Sequence, residues 1–116
     1  MVLAEINVSN IFVVCGYTDM RKSITGLSAI VIQQFGMEID EHSLFLFCGK
    51  RADRLKALLW EGDGFLLLYK RLSDGKFQWP RSMEEMKMMD KEQFHRLMSG
   101  FAIESSIKDA NPKYIL

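Results

Sequence analysis

Basic and aromatic side chains alternate with leucines along the middle of the sequence, and such side chains bind phosphates and stack on nucleotide bases. Two apolar segments, 54–60 and 65–71, flank the turn sequence Gly62-Asp63-Gly64. If these segments pair as antiparallel strands about a two-residue turn at Gly62-Asp63 or Asp63-Gly64, strand alternation places one set of side chains on one face. This predicted surface, the mixed face, consists of Arg54, Lys56, Leu58, Trp60, Phe65, Leu67, Tyr69 and Arg71.

The opposite face of the same hairpin is almost entirely apolar, and we expect it to pack on the helices. It consists of Leu55, Ala57, Leu59, Leu66, Leu68, Lys70 and Leu72, and a turn at Asp74-Gly75 would add Phe77. In the alternative interpretation, the aromatic side chains of the mixed face pack under a loop or second layer, and its cations keep an exposed sheet soluble. The predicted phosphate contacts are Arg21, Lys22, Lys50, Arg51, Arg54, Lys56 and Arg71, with Trp60 and Tyr69 as stacking residues.

A second basic cluster, Arg21 and Lys22, precedes an apolar helical pattern. In a first helical turn these cations would oppose the helix dipole, which favours acidic residues there. A bound phosphate would compensate, because free N–H groups at a helix start form an anion site. Alternatively, one of the two cations pairs with Asp19, Asp53 or Asp63.

The residue patterns of common catalytic sites are absent from the sequence. It has no phosphate-binding glycine loop, dinucleotide fingerprint, His-Glu-x-x-His or Cys-x-x-Cys motif, and neither His42 nor His95 has a metal-ligand neighbour at a useful spacing. A two-metal nuclease would need clustered carboxylates, and the candidates flank turns or caps, where acids have structural roles. They are Asp19, Asp53, Glu61 and Asp63. We therefore predict a protein that is not an enzyme and has no cofactor or metal.

The elements that position these residues follow from the apolar spacing. Ile11–Cys15 is predicted to be a strand, and a helix stripe then runs to Phe35 before Gly36, with Thr18, Asp19 or Ser23 as its cap. The stripe consists of Met20, Ile24, Leu27, Val31 and Phe35. Residues 44–80 read as an antiparallel meander with turns at 49–53, 62–64 and 73–75.

A C-terminal helix is predicted from Asp90, with Gln93 at its third position, a Met89–Phe94 staple and an end near Gly100. The predicted fold is therefore α+β, with a mostly antiparallel β-meander sheet, one helix after the first strand and one C-terminal helix. We expect one domain over residues 1–116, with a core of about 11–101 and a less ordered tail at 102–116.

Composition and charge limit the class of protein. The chain is 48% hydrophobic and 26% charged, and it has neither a signal-peptide pattern nor a membrane-length apolar run, so we expect a cytoplasmic protein with no membrane contact. Cys15 and Cys48 lie in apolar runs and are expected to be buried free thiols, with a disulfide as the alternative. The net charge is zero, but residues 49–81 hold eight basic and four acidic side chains.

Five motifs, in conserved order between about Ile11 and Phe101, resemble the TnpB-type accessory proteins encoded by the second reading frame of the sixty-sixth insertion-sequence family. They are Thr18-Asp19-Met20-Arg21-Lys22-Ser23 with Gly26-Leu27, the segment 46–56, Trp60-Glu61-Gly62-Asp63-Gly64-Phe65, Lys70-Arg71-Leu72, and Gly75-Lys76-Phe77-Gln78-Trp79-Pro80. The resemblance implies a bacterial mobile element in which the protein acts beside a separate transposase and a second small accessory protein. It carries over no catalytic residue.

Two positions depart from the family pattern: Ser23 replaces a common glycine, and Cys48 replaces a frequent arginine, which removes one positive charge. We expect an accessory protein for DNA transposition that contacts element DNA, the transposase or both. One alternative is a protein adaptor that binds no DNA itself, with the methionine-rich stretch 83–89 as a partner surface. The least favoured alternative is a metal-dependent nuclease.

Overall fold

A computed structural model of the protein describes residues 8–87. These residues form one four-stranded sheet in the order β1-β2-β3-β4, with a long helix after the first strand and a short helix after the last. The elements are β1 (Asn10–Val13), α1 (Ile24–Phe35), β2 (Ser43–Cys48), β3 (Arg54–Trp60), β4 (Phe65–Arg71) and α2 (Met83–Lys87). The predicted α+β class is confirmed.

The sheet is mixed, so the prediction of a mostly antiparallel meander needs correction. β1 pairs with β2 in parallel, with Asn10 opposite Ser43, while the β2–β3 and β3–β4 pairs are antiparallel. A parallel pair needs a crossover connection, and α1 supplies it between β1 and β2. The meander also ends earlier than predicted, because residues 72–82 form no strand.

The β3–β4 hairpin has the turn at Gly62-Asp63, one of the two turns predicted. The Glu61 N–H donates to the Gly64 carbonyl over 2.9 Å, and Gly62 has a φ of 93°, a left-handed conformation that glycine adopts without strain. Arg54 lies opposite Arg71 in the register. The predicted membership of the mixed face is therefore confirmed.

Helix α1 packs on the mixed face, whereas we predicted that the helices cover the opposite face. Leu27 and Val31 on α1 are fully buried in one cluster with Phe45, Phe47 and Leu58. β2 carries apolar side chains on both faces, so both faces of the sheet require cover. The leucines and aromatic residues of the mixed face provide the contact surface for the helix, and the cations lie beyond it.

The opposite face is covered by the segment after β4. Phe77 and Trp79 are buried against Ala57, Leu46 and neighbouring apolar side chains, which confirms Phe77 as a core residue on that face. The indole N–H of Trp79 donates to the Val14 carbonyl over 2.8 Å. This buried hydrogen bond attaches the segment to the residue that follows β1.

Helix α1 ends where predicted but begins later. Gly36 follows the last helical residue, has a φ of 90° and donates its N–H to the Ile32 carbonyl. Ser23, one of the three predicted caps, is the N-cap, although its side chain makes no capping hydrogen bond. Met20 thus precedes the helix, yet it still packs against the α1 cluster.

The predicted C-terminal helix from Asp90 to Gly100 and the tail at 102–116 lie outside the described residues. The methionine-rich stretch begins with the short helix α2, where Met83 is exposed. Among the helices of residues 8–87, none has the length and apolarity to cross a membrane.

Candidate nucleic-acid interface

The predicted phosphate contacts gather at one end of the sheet. The Thr18 N–H donates to the Cys48 carbonyl over 2.8 Å, which places the turn of residues 18–22 (the 18–22 turn) beside the β2–β3 turn, residues 49–53. Arg54 begins β3 next to that turn, opposite the end of β4. We call this region the basic end; its cations are Arg21, Lys22, Lys50, Arg51, Arg54, Lys56 and Arg71.

The 18–22 turn is fixed by Asp19. Its carboxylate accepts the main-chain N–H of Arg21 over 2.9 Å and the guanidinium over distances down to 2.8 Å. The side-chain hydrogen bond from Arg21 is the main reason that the pKa of Asp19 lies well below its ordinary value. Because α1 begins at Ile24, Arg21 and Lys22 precede the helix, and our placement of them in its first turn was wrong.

An open cleft of about 410 Å³ lies at the basic end, where the 18–22 turn meets the ends of β3 and β4. It brings four of the predicted contacts together, namely Arg21, Arg54, Lys56 and Tyr69. The other lining residues are Asp19, Met20 and Leu67. Sequence reasoning assigned Met20 to the helix stripe and Leu67 to the mixed face, and neither was singled out as a site residue.

Lys56 links the sheet to the 18–22 turn. Its Nζ donates to the Lys22 carbonyl over 2.8 Å and lies 5.4 Å from the centroid of the Tyr69 ring. Neither partner carries a negative charge, and Lys56 forms no ion pair within residues 8–87. Its positive charge is therefore available to an anion in the cleft.

Arg54 forms a weaker ion pair with its neighbour Asp53 than Arg21 forms with Asp19. Their Nε and Oδ1 atoms are 3.9 Å apart, and both atoms are buried without a hydrogen-bond partner among the described residues. Buried polar atoms without partners cost free energy, so this pair is a poorly satisfied part of the basic end. The Asp53 charge offsets part of the charge of Arg54.

The other cations are on the surface. Lys22, Lys50, Arg51 and Arg71 are exposed, and none forms an ion pair with another residue of the described range 8–87. The seven cations of the basic end thus adjoin the carboxylates Asp19 and Asp53, and the neighbouring segment 72–77 adds one more of each charge, Asp74 and Lys76. Such an excess attracts phosphates despite the zero net charge of the chain.

The opposite end of the sheet is acidic. The His42 N–H donates to the Trp60 carbonyl over 2.6 Å and thereby brings the loop of residues 36–42 beside the β3–β4 turn. These two segments hold five carboxylates and no lysine or arginine: Glu38, Asp40, Glu41, Glu61 and Asp63. Sequence reasoning missed this polarity, because only the fold places the two segments together.

Trp60 lies at the acidic end, apart from the other predicted contacts. It lies six residue steps along β3 from Arg54, or about 20 Å at ~3.3 Å per residue. Its ring packs at 4.8 Å from the ring of Phe65, its cross-strand neighbour on the same face. Tyr69 is instead 55% exposed and lines the cleft.

The four carboxylates of the nuclease hypothesis do not converge. Asp19 and Asp53 lie at the basic end, and Glu61 and Asp63 lie at the acidic end. No group of three or more His, Cys, Asp or Glu side chains in the described part of the chain could hold a metal ion.

Both cysteines are free, so the alternative of a disulfide between them is wrong. Cys48 is fully buried, and burial, followed by the charge of Asp53, raises the pKa of its thiol to about 12. Cys15 is only half-buried, and burial also raises its pKa, with smaller effects from Glu85 and Glu84.

The fold and the basic end define a small α+β protein. Its positive and negative charges lie at opposite ends of the sheet, and its cleft is lined by cations and an aromatic ring. The chain belongs to the family of IS66 Orf2 like proteins, whose family model matches residues 9–108. It is therefore an accessory protein of insertion-sequence transposition.

Two relatives from Sinorhizobium fredii support this assignment. The chain is 34% identical to the uncharacterized protein y4jC over 82 residues, which cover 71% of this chain and 70% of the relative. It is 30% identical to the uncharacterized protein y4hO over 90 residues, or 78% of each chain. No solved structure matches the chain.

Proposed function

We propose that this accessory protein binds duplex DNA at the ends of its insertion sequence, through the phosphates, with its basic end. It does so in the bacterial cytoplasm beside the transposase and the second accessory protein of the element, and it does not catalyse strand transfer. The observation that carries the proposal is the separation of charge. Seven cations gather at one end of the sheet and five carboxylates gather at the other.

Charge separation of this kind favours one orientation on DNA. Phosphates attract the basic end and repel the acidic end, so the protein approaches a duplex with the 18–22 and β2–β3 turns first. Phosphate contacts position a protein without reading sequence. Any preference for the element ends therefore comes from the transposase or from contacts other than these cations.

The cations contribute unequally to the proposed contact. Arg21 is neutralised by Asp19, and Arg54 lies beside Asp53. The five without an ion pair in the range 8–87 supply most of the binding: Lys22, Lys50, Arg51, Lys56 and Arg71. At a salt exponent of about 0.9 per phosphate, each contact strengthens binding roughly fivefold at about 0.15 M salt.

Neutralising one of these cations tests the proposal. Lys56→Gln and Arg71→Gln each remove one positive charge, and we expect each to weaken duplex binding about fivefold in fluorescence anisotropy at about 0.15 M salt. The matched control is Gln34→Glu, which makes the same change in net charge at an exposed position on α1. Equal effects of all three variants would show that overall charge, rather than the basic end, controls binding.

A second candidate function is a protein adaptor of the transposase without DNA binding of its own. The observation that favours it is a group of exposed apolar side chains on and after α1. Ile24 and Ile32 are each 39% exposed, and Met37 is 78% exposed. Exposed apolar surface is typical of protein interfaces.

Replacing Ile32 and Met37 with glutamate tests the adaptor function. If the α1 surface binds the transposase, the double variant loses co-purification with the transposase of the same element. The variant Gln33→Glu/Gln34→Glu, which adds the same charge at two exposed positions of α1, is the matched control. Retained co-purification by the apolar double variant would contradict an interface on α1.

A further inference from the structure

Binding of a duplex backbone does not account for the apolar part of the cleft. Besides its cations, the cleft is lined by Met20, Leu67 and the ring of Tyr69. Phosphates do not contact apolar side chains favourably, whereas nucleobases stack on aromatic rings. A volume of about 410 Å³ is also within the range of sites that hold one small molecule.

Tyr69 is the most exposed of the aromatic side chains on the mixed face. It is 55% exposed, whereas Phe65 and Trp60 are partly buried against each other. The Lys56 Nζ lies 5.4 Å from the centroid of the Tyr69 ring and has no carboxylate partner within residues 8–87. An aromatic surface and an available cation thus adjoin in one cleft.

We propose that the cleft binds one unpaired nucleotide of a DNA strand, with its base stacked on Tyr69 and its phosphate held by Lys56. Bases inside a duplex hide both faces in the stack, so only an unpaired or displaced base reaches the ring. This site deepens the proposed function, because the surrounding basic end brings DNA to the cleft. It gives the protein a preference for DNA with an unpaired strand over a fully paired duplex.

The expected preference follows from the strength of base stacking. Loss of one aromatic stacking residue weakens single-strand binding by roughly 5- to 150-fold in other proteins. We expect a similar ratio between the affinities of the protein for a duplex with an unpaired extension and for the blunt duplex. Tyr69→Leu abolishes this ratio, and Tyr69→Phe keeps the ratio because it keeps the ring.

The test uses the full chain and three fluorescein-labelled DNAs in anisotropy titrations. They are a blunt duplex, the same duplex with a short unpaired thymidine extension at the 3′ or 5′ end, and the extension strand alone. Circular dichroism and urea unfolding check that both Tyr69 variants keep the fold. Stronger binding of the extended duplex that disappears in Tyr69→Leu and persists in Tyr69→Phe supports the site.

The outcomes separate this site from the proposed duplex binding. Equal affinities for blunt and extended duplexes overturn the nucleotide site and leave duplex binding in place. A preference for the extended duplex that survives Tyr69→Leu also overturns it. If the protein binds the extension strand but not the blunt duplex, and Tyr69→Leu no longer binds that strand, the nucleotide site is supported and duplex binding is contradicted. If the protein binds none of the three DNAs, both proposals are overturned.

Discussion

Replacing Gly49 with alanine tests how the 18–22 turn is held at the end of the sheet. A Cβ added at Gly49 would lie 2.5 Å from the Cγ atom of Met20, with the Sδ and Cβ atoms of Met20 at 3.6 and 3.7 Å. Ordinary carbon contacts are about 3.5–4.0 Å, so one side must move by about 1 Å. The Cγ atom lies in the middle of the side chain, so rotation of the terminal methyl group alone does not relieve the contact.

The magnitude follows from two opposing effects. Overpacking of this kind costs about 1–3 kcal/mol, while removal of a glycine from the unfolded chain stabilises by about 0.4–1 kcal/mol. We expect Gly49→Ala to lower the free energy of unfolding by about 1–2 kcal/mol. The control is Gly64→Ala, whose Cβ meets no atom within 4 Å, so it is expected to be neutral or slightly stabilising.

Urea unfolding followed by tryptophan fluorescence measures both changes. Met20→Ala removes the atom that the new Cβ would meet, so the double variant Gly49→Ala/Met20→Ala should be more stable than the sum of the single effects by about 1–2 kcal/mol. Strict additivity, or a Gly49→Ala protein as stable as Gly64→Ala, would refute the packing of Met20 on Gly49. The same displacement should weaken DNA binding, because it shifts the 18–22 turn, which carries Lys22.

Three further predictions concern single side chains. Trp79→Phe loses a buried hydrogen bond and some packing, and urea unfolding should show a cost of about 1–3 kcal/mol; no loss would contradict the 2.8 Å indole contact. In the folded protein Cys15 should react with an aromatic disulfide reagent, while Cys48 should react only after unfolding, and rapid reaction of two thiols would contradict its burial. The hydrogen bonds from Arg21 hold the pKa of Asp19 in the folded protein below its unfolded value near 3.8. This ion pair therefore stabilises the fold above pH 3.8, and the stabilisation is lost as the pH falls through the folded pKa. A midpoint of 3.8 or higher in an NMR titration of Asp19 would contradict the ion pair.

The hairpin and the mixed face were predictable because their determinants are local. Gly62 and Asp63 specify a tight turn, and the period of two then assigns every side chain of β3 and β4 to a face. Gly36 ended α1 for a similar reason, since it has the positive φ that glycine adopts. These parts of the fold needed no knowledge of distant residues.

The remaining features depend on contacts between distant segments. The distribution of polar and apolar residues on β3 and β4 did not show which face α1 covers. Although the mixed face carries cations, Leu58 and Leu67 on that face provide the apolar surface on which the helix packs. The start of α1 was misplaced because Thr18, Asp19 and Ser23 are all plausible caps. The hydrogen bonds that Arg21 donates to Asp19 and the extended backbone at Ser23 separate the turn from the helix.

The candidate site was predicted in part. Lys56 and Tyr69 were assigned to one face by register, and they do adjoin. Trp60 was assigned to the same face, but a face extends along the whole strand and does not specify which end a residue occupies. The cleft itself forms between distant segments: Lys56 donates to the Lys22 carbonyl, 34 positions away in sequence, and Thr18 donates to the Cys48 carbonyl.

The salt dependence of duplex binding tests the central claim most directly. Equilibrium binding of the protein to a duplex from the end of the element is measured by anisotropy over a series of salt concentrations, with a scrambled duplex in parallel. Five uncompensated cations at the basic end predict a slope of log affinity against log salt of about −4.5, reduced by about one in Lys56→Gln. No binding at low salt, or a slope that Lys56→Gln leaves unchanged, would contradict DNA binding by the basic end.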